Sequence, residues 1–320
     1  MTNQQQFQAL REWLQTQIIG QQALTDRLLI ALLADGHLLV EGAPGLAKTK
    51  AIKTLAMAIE GDFHRVQFTP DLLPADITGS DIYRPETHSF EFQPGPLFHN
   101  LILADEINRA PAKVQSALLE AMAERQISIG KQSYPLPSLF LVMATQNPIE
   151  QEGTYPLPEA QLDRFLMQVN VAYPNRDAEL AILRLARQED RNQQRATPPL
   201  RLSSDDITAA RAAVQGLYLA EPVERYMVEL ILASRDPGRY APELARWIEY
   251  GASPRATIAL ERCARAHAWL HGQDYVSPDN VQAVAHDVLR HRLLLSFEAQ
   301  ANGQNSDAVI QRLLEQVPVS

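Results

Sequence analysis

The chain has 320 residues, of which 46% are hydrophobic and 21% charged. This length and apolar content allow an ordinary core and predict two domains. The formal net charge of -9 argues against a general nucleic-acid binder, although a local basic pore is compatible with it. The only cysteine, Cys263, excludes an internal disulfide and fits a reducing cytoplasm.

The sequence contains no apolar run of about 18 residues, the length that predicts a membrane span. The N-terminal residues lack the basic and then apolar layout of a signal peptide. We therefore expect a cytoplasmic protein that does not insert into a membrane directly.

The first predicted elements are two helices, over 7–17 and from 22 to about 34. Strands and helices then alternate, which predicts a parallel α/β sheet whose site lies at the carboxyl ends of the strands. The predicted strands are 37–40, 63–68, 101–105, 139–145 and 166–171, and the predicted helices between them are 49–59 and 112–124.

Two segments interrupt this alternation, and both are predicted to be β-hairpins, near 79–92 and 126–136. Surface decoration is the alternative interpretation for each. A polar stretch over 188–200 predicts a linker between an α/β domain over 1–187 and a small all-helical domain over 201–320. Helix starts in the second domain are predicted at Ser203, near Pro222, at Ser253 and at Ser277.

The most specific motif is a loop of small residues that follows the strand at 37–40. Backbone N–H groups in such a loop can surround phosphate oxygens, while Lys48 would reach the β- and γ-phosphates and Thr49 would place its hydroxyl on Mg²⁺. The helix that follows would point its dipole at the anion. We expect Ala47, where the strict motif has glycine, to begin that helix and to accept a Cβ. A plain glycine turn is the alternative. The predicted binding residues are Gly42, Ala43, Pro44, Gly45, Leu46, Ala47, Lys48, Thr49 and Lys50.

Two acids, Asp105 and Glu106, end a continuous apolar run that is typical of a strand buried on both faces. Buried carboxylates are costly unless they bind something. Asp105 is suited to hold Mg²⁺, and Glu106 is suited to orient and deprotonate an attacking water. A helix cap at Asp105 is the alternative, and the phosphate loop upstream favours the catalytic interpretation.

Five ordered motifs resemble those of AAA+ ATPases, and the versions FTPDLLPADITG at 68–79 and DEINRAP at 105–111 resemble the MoxR family within that class. The resemblance covers nearly the whole chain. It implies an AAA+ P-loop NTPase with a parallel sheet flanked by helices, a helical lid, and Mg²⁺-dependent hydrolysis of ATP. The five motifs are the phosphate loop, the strand ending in Asp105-Glu106, Ala144-Thr145-Gln146-Asn147-Pro148, Gln161-Leu162-Asp163-Arg164-Phe165 and Gly251-Ala252-Ser253-Pro254-Arg255.

The resemblance also implies roles for single residues. Asn147 would sense the γ-phosphate and position water, and Gln21 would lie where the family wraps the adenine. Arg164 would be an arginine finger for the neighbouring subunit, and Arg255 would reach the γ-phosphate from the lid of the same subunit. The residues alone equally allow an Asn-Pro turn at Asn147. For Arg164 the alternative is a solvated arginine, and for Arg255 it is a surface cap, which charge alone favours. Arg109 would face the subunit boundary or form a salt bridge.

The family logic implies a chaperone-like homo-hexameric ATPase that remodels, activates or assembles a partner protein, often one with a von Willebrand factor A domain or a metalloenzyme. Its hairpins would face a pore, with Phe90, Phe92 and Tyr134 as apolar grips and Arg125 and Lys131 as charges. One alternative is a nucleic-acid motor or clamp, which the few basic hairpin residues disfavour. The other is a metal-chelatase motor subunit, which would use the same residues.

Two other features favour structural roles. His267 and His271 have a spacing that can bind a metal, but the sequence offers no third ligand nearby. Cys263 lies in a helical stretch and has no adjacent general base in sequence, and we expect it to pack in the core.

Overall fold

The structure is a computed structural model that describes residues 1–130, 132–149, 153–192 and 197–319. Its first part alternates strands and helices, as predicted. The elements in chain order are α1 (Asn3–Gln17), α2 (Gln22–Leu33), β1 (Leu38–Gly42), α3 (Lys48–Met57), β2 (Phe63–Gln67), α4 (Pro74–Thr78), β3 (Gly79–Arg84), β4 (Ser89–Pro94), β5 (Leu101–Asp105), α5 (Ala112–Glu124), β6 (Gln126–Ile129), β7 (Gln132–Pro135), β8 (Leu141–Gln146), α6 (Glu159–Leu162), β9 (Met167–Val171) and α7 (Arg176–Asn192).

The central sheet has five strands in the order β2-β5-β8-β1-β9. All of its pairings are parallel, which confirms the predicted sheet. Every residue of β5 is buried, as a strand covered on both faces requires. Because the strands are parallel, the loop after β1, the acids at the end of β5 and Asn147 after β8 all lie at one edge of the sheet, the carboxyl edge.

Helix α1 begins at Asn3, four residues before the predicted start at residue 7. The earlier start has a local cause, because Thr2 and Gln5 form a capping box. The Gln5 N–H donates to the Thr2 hydroxyl at 3.3 Å, and the Thr2 N–H donates to the Gln5 side chain at 2.9 Å. The helix then buries Phe7, Leu10 and Leu14 along one face.

The second part of the chain is mostly helical, as predicted, but its described residues also form four strands of two or three residues. They form two small sheets, β10 with β12 and β11 with β13. Strands this short carry no readable alternation of side chains, which is why the sequence does not predict them. The elements are α8 (Ser204–Gln215), β10 (Tyr218–Leu219), α9 (Glu221–Arg235), α10 (Pro242–Trp247), β11 (Ile248–Tyr250), α11 (Pro254–Leu270), β12 (Tyr275–Val276), α12 (Pro278–Leu289), β13 (Leu294–Leu295), α13 (Phe297–Ala301) and α14 (Ser306–Gln316).

The predicted linker over 188–200 is wrong at its start, because α7 continues to Asn192. The stretch is polar, but it is rich in arginine, glutamine and glutamate, which are good helix formers. Polar composition alone therefore does not end the helix. Residues 193–196 of the predicted linker lie outside the described part of the chain.

Both predicted hairpins are present, as β3 paired with β4 and β6 paired with β7. Lys131, predicted in the second turn, lies outside the described residues. Gly79 closes the base of the first hairpin at φ +91°, and a Cβ there would lie 2.3 Å from the carbonyl oxygen of Gln93. Glycine is therefore required at this crossing of the chain.

Hydrogen bonds among Asp163, Arg292 and Ser253, together called the clasp, connect the second part of the chain to the segment before β9. Asp163 accepts hydrogen bonds from Arg292 Nε and from the Ser253 hydroxyl, both at 2.8 Å. Arg292 also donates to the Phe165 carbonyl at 2.6 Å, and its side chain is only 3% exposed. Burial lowers the pKa of the Arg292 guanidinium, and the hydrogen bond to Asp163 opposes that shift.

We expect Asp163→Ala to lower the free energy of unfolding by about 3 to 5 kcal/mol, because it leaves the buried Arg292 charge without its carboxylate. Urea unfolding measures this change. Asp274→Ala removes an exposed aspartate and should change stability by less than about 0.5 kcal/mol. Equal effects of the two substitutions would contradict the clasp.

Candidate active site

The phosphate loop has the strand–loop–helix context that the sequence predicts. It leaves β1 at Gly42 and enters α3 at Lys48. The Lys48 ammonium donates to the carbonyl oxygen of Gly42 and, at 3.3 Å, to that of Gln146 at the end of β8. The lysine therefore lies between the ends of two neighbouring strands, beside the acids.

We expected Ala47 to begin helix α3, and this is wrong. Ala47 precedes the helix and lies in the left-handed region at φ +60° and ψ +14°. An L-residue there costs roughly 1–2 kcal/mol that glycine does not. The glycine of the strict motif thus has a conformational purpose, and this chain adopts the same loop shape with an alanine.

A cavity of about 290 Å³ lies beside the loop, between the N-terminal helices and α7. Gln21 stands at its wall, 9% exposed, and donates through Nε2 to the Ala172 carbonyl at 2.9 Å. The cavity is mostly apolar, which suits the flat face of a base. Its lining includes Ile18, Ile19, Gln21, Pro44, Gly45, Leu46, Ala47, Lys50, Tyr173, Pro174, Ile182 and Leu185.

The second wall of this cavity, formed by Tyr173, Pro174 and α7, was not predicted from the sequence. Ile182 and Leu185 lie almost one helical turn apart on α7, so their spacing is a detectable signal. The polar linker interpretation of the following residues obscured it.

Asp105 is 8% exposed at the end of β5, and protein donors contact both of its carboxylate oxygens. Arg65 donates to Oδ2 from Nε at 3.0 Å and from Nη2 at 2.7 Å. The Thr145 hydroxyl donates to Oδ1 at 2.6 Å. These contacts hold the carboxylate in one orientation at the sheet edge. Neither partner was predicted, because both lie on neighbouring strands far away in sequence.

Glu106 follows in the left-handed region, at φ +59° and ψ +51°. Its Oε2 accepts from Gln67 Nε2 at 2.7 Å and from Arg109 Nη1 at 3.2 Å. Of the two alternatives for Arg109, the salt bridge is therefore present in the structure. The backbone N–H of Glu106 donates to the Thr145 hydroxyl at 2.9 Å.

Asn147 is 6% exposed directly after β8. Its Oδ1 accepts the Ile149 N–H at 3.2 Å, so the Asn-Pro turn is present. The same residue still lies at the carboxyl edge beside the acids, and the turn does not displace it from the site.

Thr49 and Asp105 were predicted to hold Mg²⁺, and their oxygen donors are of the kind that Mg²⁺ prefers. Thr49 lies in the first turn of α3, and Asp105 ends a strand at the same edge of the sheet. The residues therefore fit the ion in donor chemistry and in their place in the fold.

Arg164 lies at the opposite, amino edge of the sheet, where Nη1 donates to the Leu119 carbonyl at 2.8 Å. It precedes β9, which pairs with β1 from Leu38↔Met167 to Gly42↔Val171. The length of β1, about 13 Å, therefore separates Arg164 from the phosphate loop of its own chain.

Arg255 does not lie beside the phosphate loop of its own chain, as its predicted contact with the γ-phosphate would require. Its Nη1 lies 3.8 Å from Asp163 Oδ2, and it lines a cavity of about 360 Å³ together with Arg164. The physical reason is the clasp, which holds the start of α11 at the amino edge. One of these arginines was predicted to contact the ATP of the neighbouring subunit and the other that of its own, yet both lie on one surface. Arg255 is 57% exposed there.

The three aromatic residues predicted to grip a partner through apolar contacts have two different environments. Phe92 stacks on Tyr134 at 4.0 Å between ring centroids, so these rings join the two hairpins. Phe90 is 72% exposed and lies 5.4 Å from the partly exposed Tyr83. Arg125, predicted as a pore charge, follows α5 as its C-cap and donates to Asp35 Oδ1 at 2.8 Å.

The remaining histidine and cysteine candidates have structural surroundings. The ring centroids of His267 and His271 lie 4.1 Å apart, and burial lowers the pKa of His267 to about 4. Within the described part of the chain, no group of three His, Cys, Asp or Glu residues could hold a metal. Cys263 is buried as expected, and burial raises the pKa of its thiol to about 12. No helix among the described residues has the length and apolar character needed to cross a membrane.

We expect Ala47→Gly to raise the free energy of unfolding by about 1 kcal/mol, because glycine adopts the left-handed conformation without strain. Ala51→Gly, one turn into the same helix, should lower it by about 1 kcal/mol or more. Thermal or urea unfolding measures both. Two changes of the same sign would contradict the conformation of Ala47.

Comparison with known proteins assigns the chain to a family. Residues 37–167 match the ATPase family associated with various cellular activities (AAA), and residues 244–313 match the AAA lid domain. The chain is 46% identical over 304 residues to Chaperone MoxR1 of Mycobacterium tuberculosis, covering 94% of this chain and 78% of that protein. It is 34% identical over 292 residues to Protein MoxR of Methylorubrum extorquens, covering 87% and 84%. A crystal structure of a protein described as an ATPase from Cytophaga hutchinsonii superposes with a TM-score of 0.91 at 44% identity, covering 99% of this chain and 96% of that one. This protein therefore belongs to the MoxR family of AAA+ ATPases, with an α/β AAA+ domain, a helical lid and ATPase activity.

Proposed function

We propose that this protein hydrolyses ATP at sites shared between neighbouring copies of a homo-hexameric ring, and that it uses the energy to remodel, activate or assemble a partner protein. The observation that carries the proposal is the shared position of Arg164 and Arg255 on a surface remote from their own phosphate loop. The carboxyl edge of the sheet carries the phosphate loop, and the amino edge carries the two arginines. A complete site therefore combines the carboxyl edge of one copy with the amino edge of another.

Each edge has a defined part in the proposed reaction. The loop and Lys48 bind the phosphates, Glu106 takes the proton of the attacking water, and Asn147 orients that water. Mg²⁺, held by Thr49 and Asp105, would neutralise charge on the phosphate oxygens. Arg164 of the neighbouring copy stabilises the charge on the transferred phosphoryl group.

A head-to-tail ring provides this arrangement. In a heterologous interface, each copy presents one surface to the neighbour on one side and a different surface to the neighbour on the other. The amino edge of one copy, with Arg164 and Arg255, then faces the carboxyl edge of the next. Asp163 contacts Arg255 and also forms the ion pair with Arg292. Hydrolysis of the ATP bound by the neighbouring copy would therefore act on the lid through these contacts.

The hairpins are the proposed contact with the partner protein. Tyr83 and Phe90 offer adjacent exposed rings on the first hairpin, which suits an apolar grip. The relative named as a chaperone supports action on a protein. The proposed partner class is a protein with a von Willebrand factor A domain or a metalloenzyme, and the proposed location is the cytoplasm.

The described hairpin charges do not favour the nucleic-acid alternative. On the first hairpin, Arg84 pairs with Glu91 at 2.8 Å, and Asp81 and Glu86 add negative charge. Arg125, at the base of the second, points to Asp35 instead. A chelatase-type motor would use the same ATP site and differ only in its partner.

We expect Arg164→Ala to reduce turnover by about a thousandfold or more, as loss of an arginine finger does, with ATP affinity nearly unchanged. Phosphate release and titration with a fluorescent ATP analogue measure the two quantities. Arg225→Ala, which removes a 70% exposed arginine of α9, should change neither. Loss of ATP binding in Arg164→Ala would place this residue in the nucleotide site of its own chain.

Glu106→Gln should bind ATP but hydrolyse it very slowly, because the amide cannot accept the proton of the attacking water. Loaded with ATP in a lysate of its own cells, it should retain a specific protein that Lys48→Ala does not retain. Mass spectrometry of the captured material identifies it. Recovery of nucleic acid without a specific protein would contradict the remodelling proposal.

A further inference from the structure

Thr145 is the one described side chain whose hydrogen bonds join the two acids directly. It lies in β8 with no exposed surface, next to the end of β5. Its hydroxyl donates to Asp105 Oδ1 at 2.6 Å and accepts the Glu106 N–H at 2.9 Å. A hydroxyl has one hydrogen and two lone pairs, so both bonds form together and their directions are fixed.

The bond to Asp105 fixes the carboxylate. Its length is typical of a charge-assisted O–H···O⁻ contact. The terminal torsion of an aspartate is broad and roughly two-fold, so a carboxylate needs such contacts to keep one orientation. With Oδ1 held by Thr145, Oδ2 faces Arg65.

The bond to Glu106 supports an unfavourable backbone conformation. Glu106 is left-handed at φ +59°, which costs a residue with a Cβ roughly 1–2 kcal/mol. The Thr145 hydroxyl satisfies the backbone N–H at this turn. The chain therefore leaves the line of β5 immediately after Asp105, and the Glu106 carboxylate reaches Gln67.

We propose that Thr145 is a positioning residue that sets the placement of Glu106 relative to Asp105. The inference rests on the proposed roles of Asp105 with Mg²⁺ and of Glu106 with water. A threonine suits the task because a β-branched side chain in a strand has a restricted χ1, which aims the hydroxyl. Valine has nearly the same shape and cannot form either bond.

The test compares Thr145→Val with Thr145→Ser in the full-length protein. We expect Thr145→Val to lower kcat by about 10- to 100-fold, the range seen for groups that orient a site from behind. KM for ATP and the Kd of a fluorescent ATP analogue should stay within about twofold, because the phosphate loop is untouched. Thr145→Ser keeps the hydroxyl and should retain kcat within about threefold of wild type.

Thr25→Val is the matched control. Thr25 is equally buried, and its hydroxyl donates to the Gln22 carbonyl within its own helix at 2.8 Å. We expect its kcat to equal that of wild type. If Thr145→Val fails to fold, Thr145→Ser and Thr145→Ala carry the comparison, because these two variants differ only in the hydroxyl.

Two results would overturn the inference: an unchanged kcat in Thr145→Val, or equal losses in the serine variant and in the variants without a hydroxyl. Glu106→Gln, measured in parallel, separates this failure from that of the proposed function. If Glu106→Gln turns over ATP at the wild-type rate, the proposed role of Glu106 fails. If it is inactive while Thr145→Val is fully active, only the role of Thr145 fails.

Discussion

The polarity of the parallel sheet is the constraint on which the rest of the structure depends. Because all five strands run in one direction, their carboxyl ends collect the phosphate loop, Asp105 and Glu106 at one edge. The same polarity leaves the segment before β9, with Arg164, at the other edge. Within one chain the length of β1, about 13 Å, separates Arg164 from the phosphate loop, and the ATPase site that we propose therefore combines groups from two copies.

The carboxyl edge holds its acids in a defined arrangement at some conformational cost. Asp105 is bonded on both oxygens, and Glu106 lies in a backbone conformation that residues with a Cβ seldom adopt. Ala47, in the phosphate loop, is also in the left-handed conformation and has a similar conformational cost. Such strain persists only where surrounding contacts maintain it, and the Thr145 hydroxyl is one such contact at Glu106. The strained backbone at Glu106 and Ala47 therefore lowers the stability of the fold at the residues proposed to bind and hydrolyse ATP.

Local patterns in the sequence predicted much of this architecture. The apolar runs identified the sheet, and strand polarity followed from the alternation with helices, which placed Lys48 beside Asp105. The unexpected position of Arg255 has a long-range cause, whereas the other two errors come from local patterns. The contact of Asp163 with Arg292, 129 residues away in sequence, moves Arg255 to the amino edge, and no local pattern shows it. The left-handed conformation of Ala47 was missed because alanine ordinarily favours a helix. Composition likewise hid the continuation of α7 to residue 192.

The central claim, that two copies complete each site, is tested most directly by mixing two inactive variants. Lys48→Ala lacks the phosphate-binding lysine but keeps the arginines, and Arg164→Ala has the opposite defect. In rings assembled from equal amounts of both, a quarter of the sites should combine an intact loop with an intact neighbouring arginine, so turnover should recover to about a quarter of the wild-type rate. A mixture as inactive as either variant alone, in rings shown to contain both, would contradict the shared site.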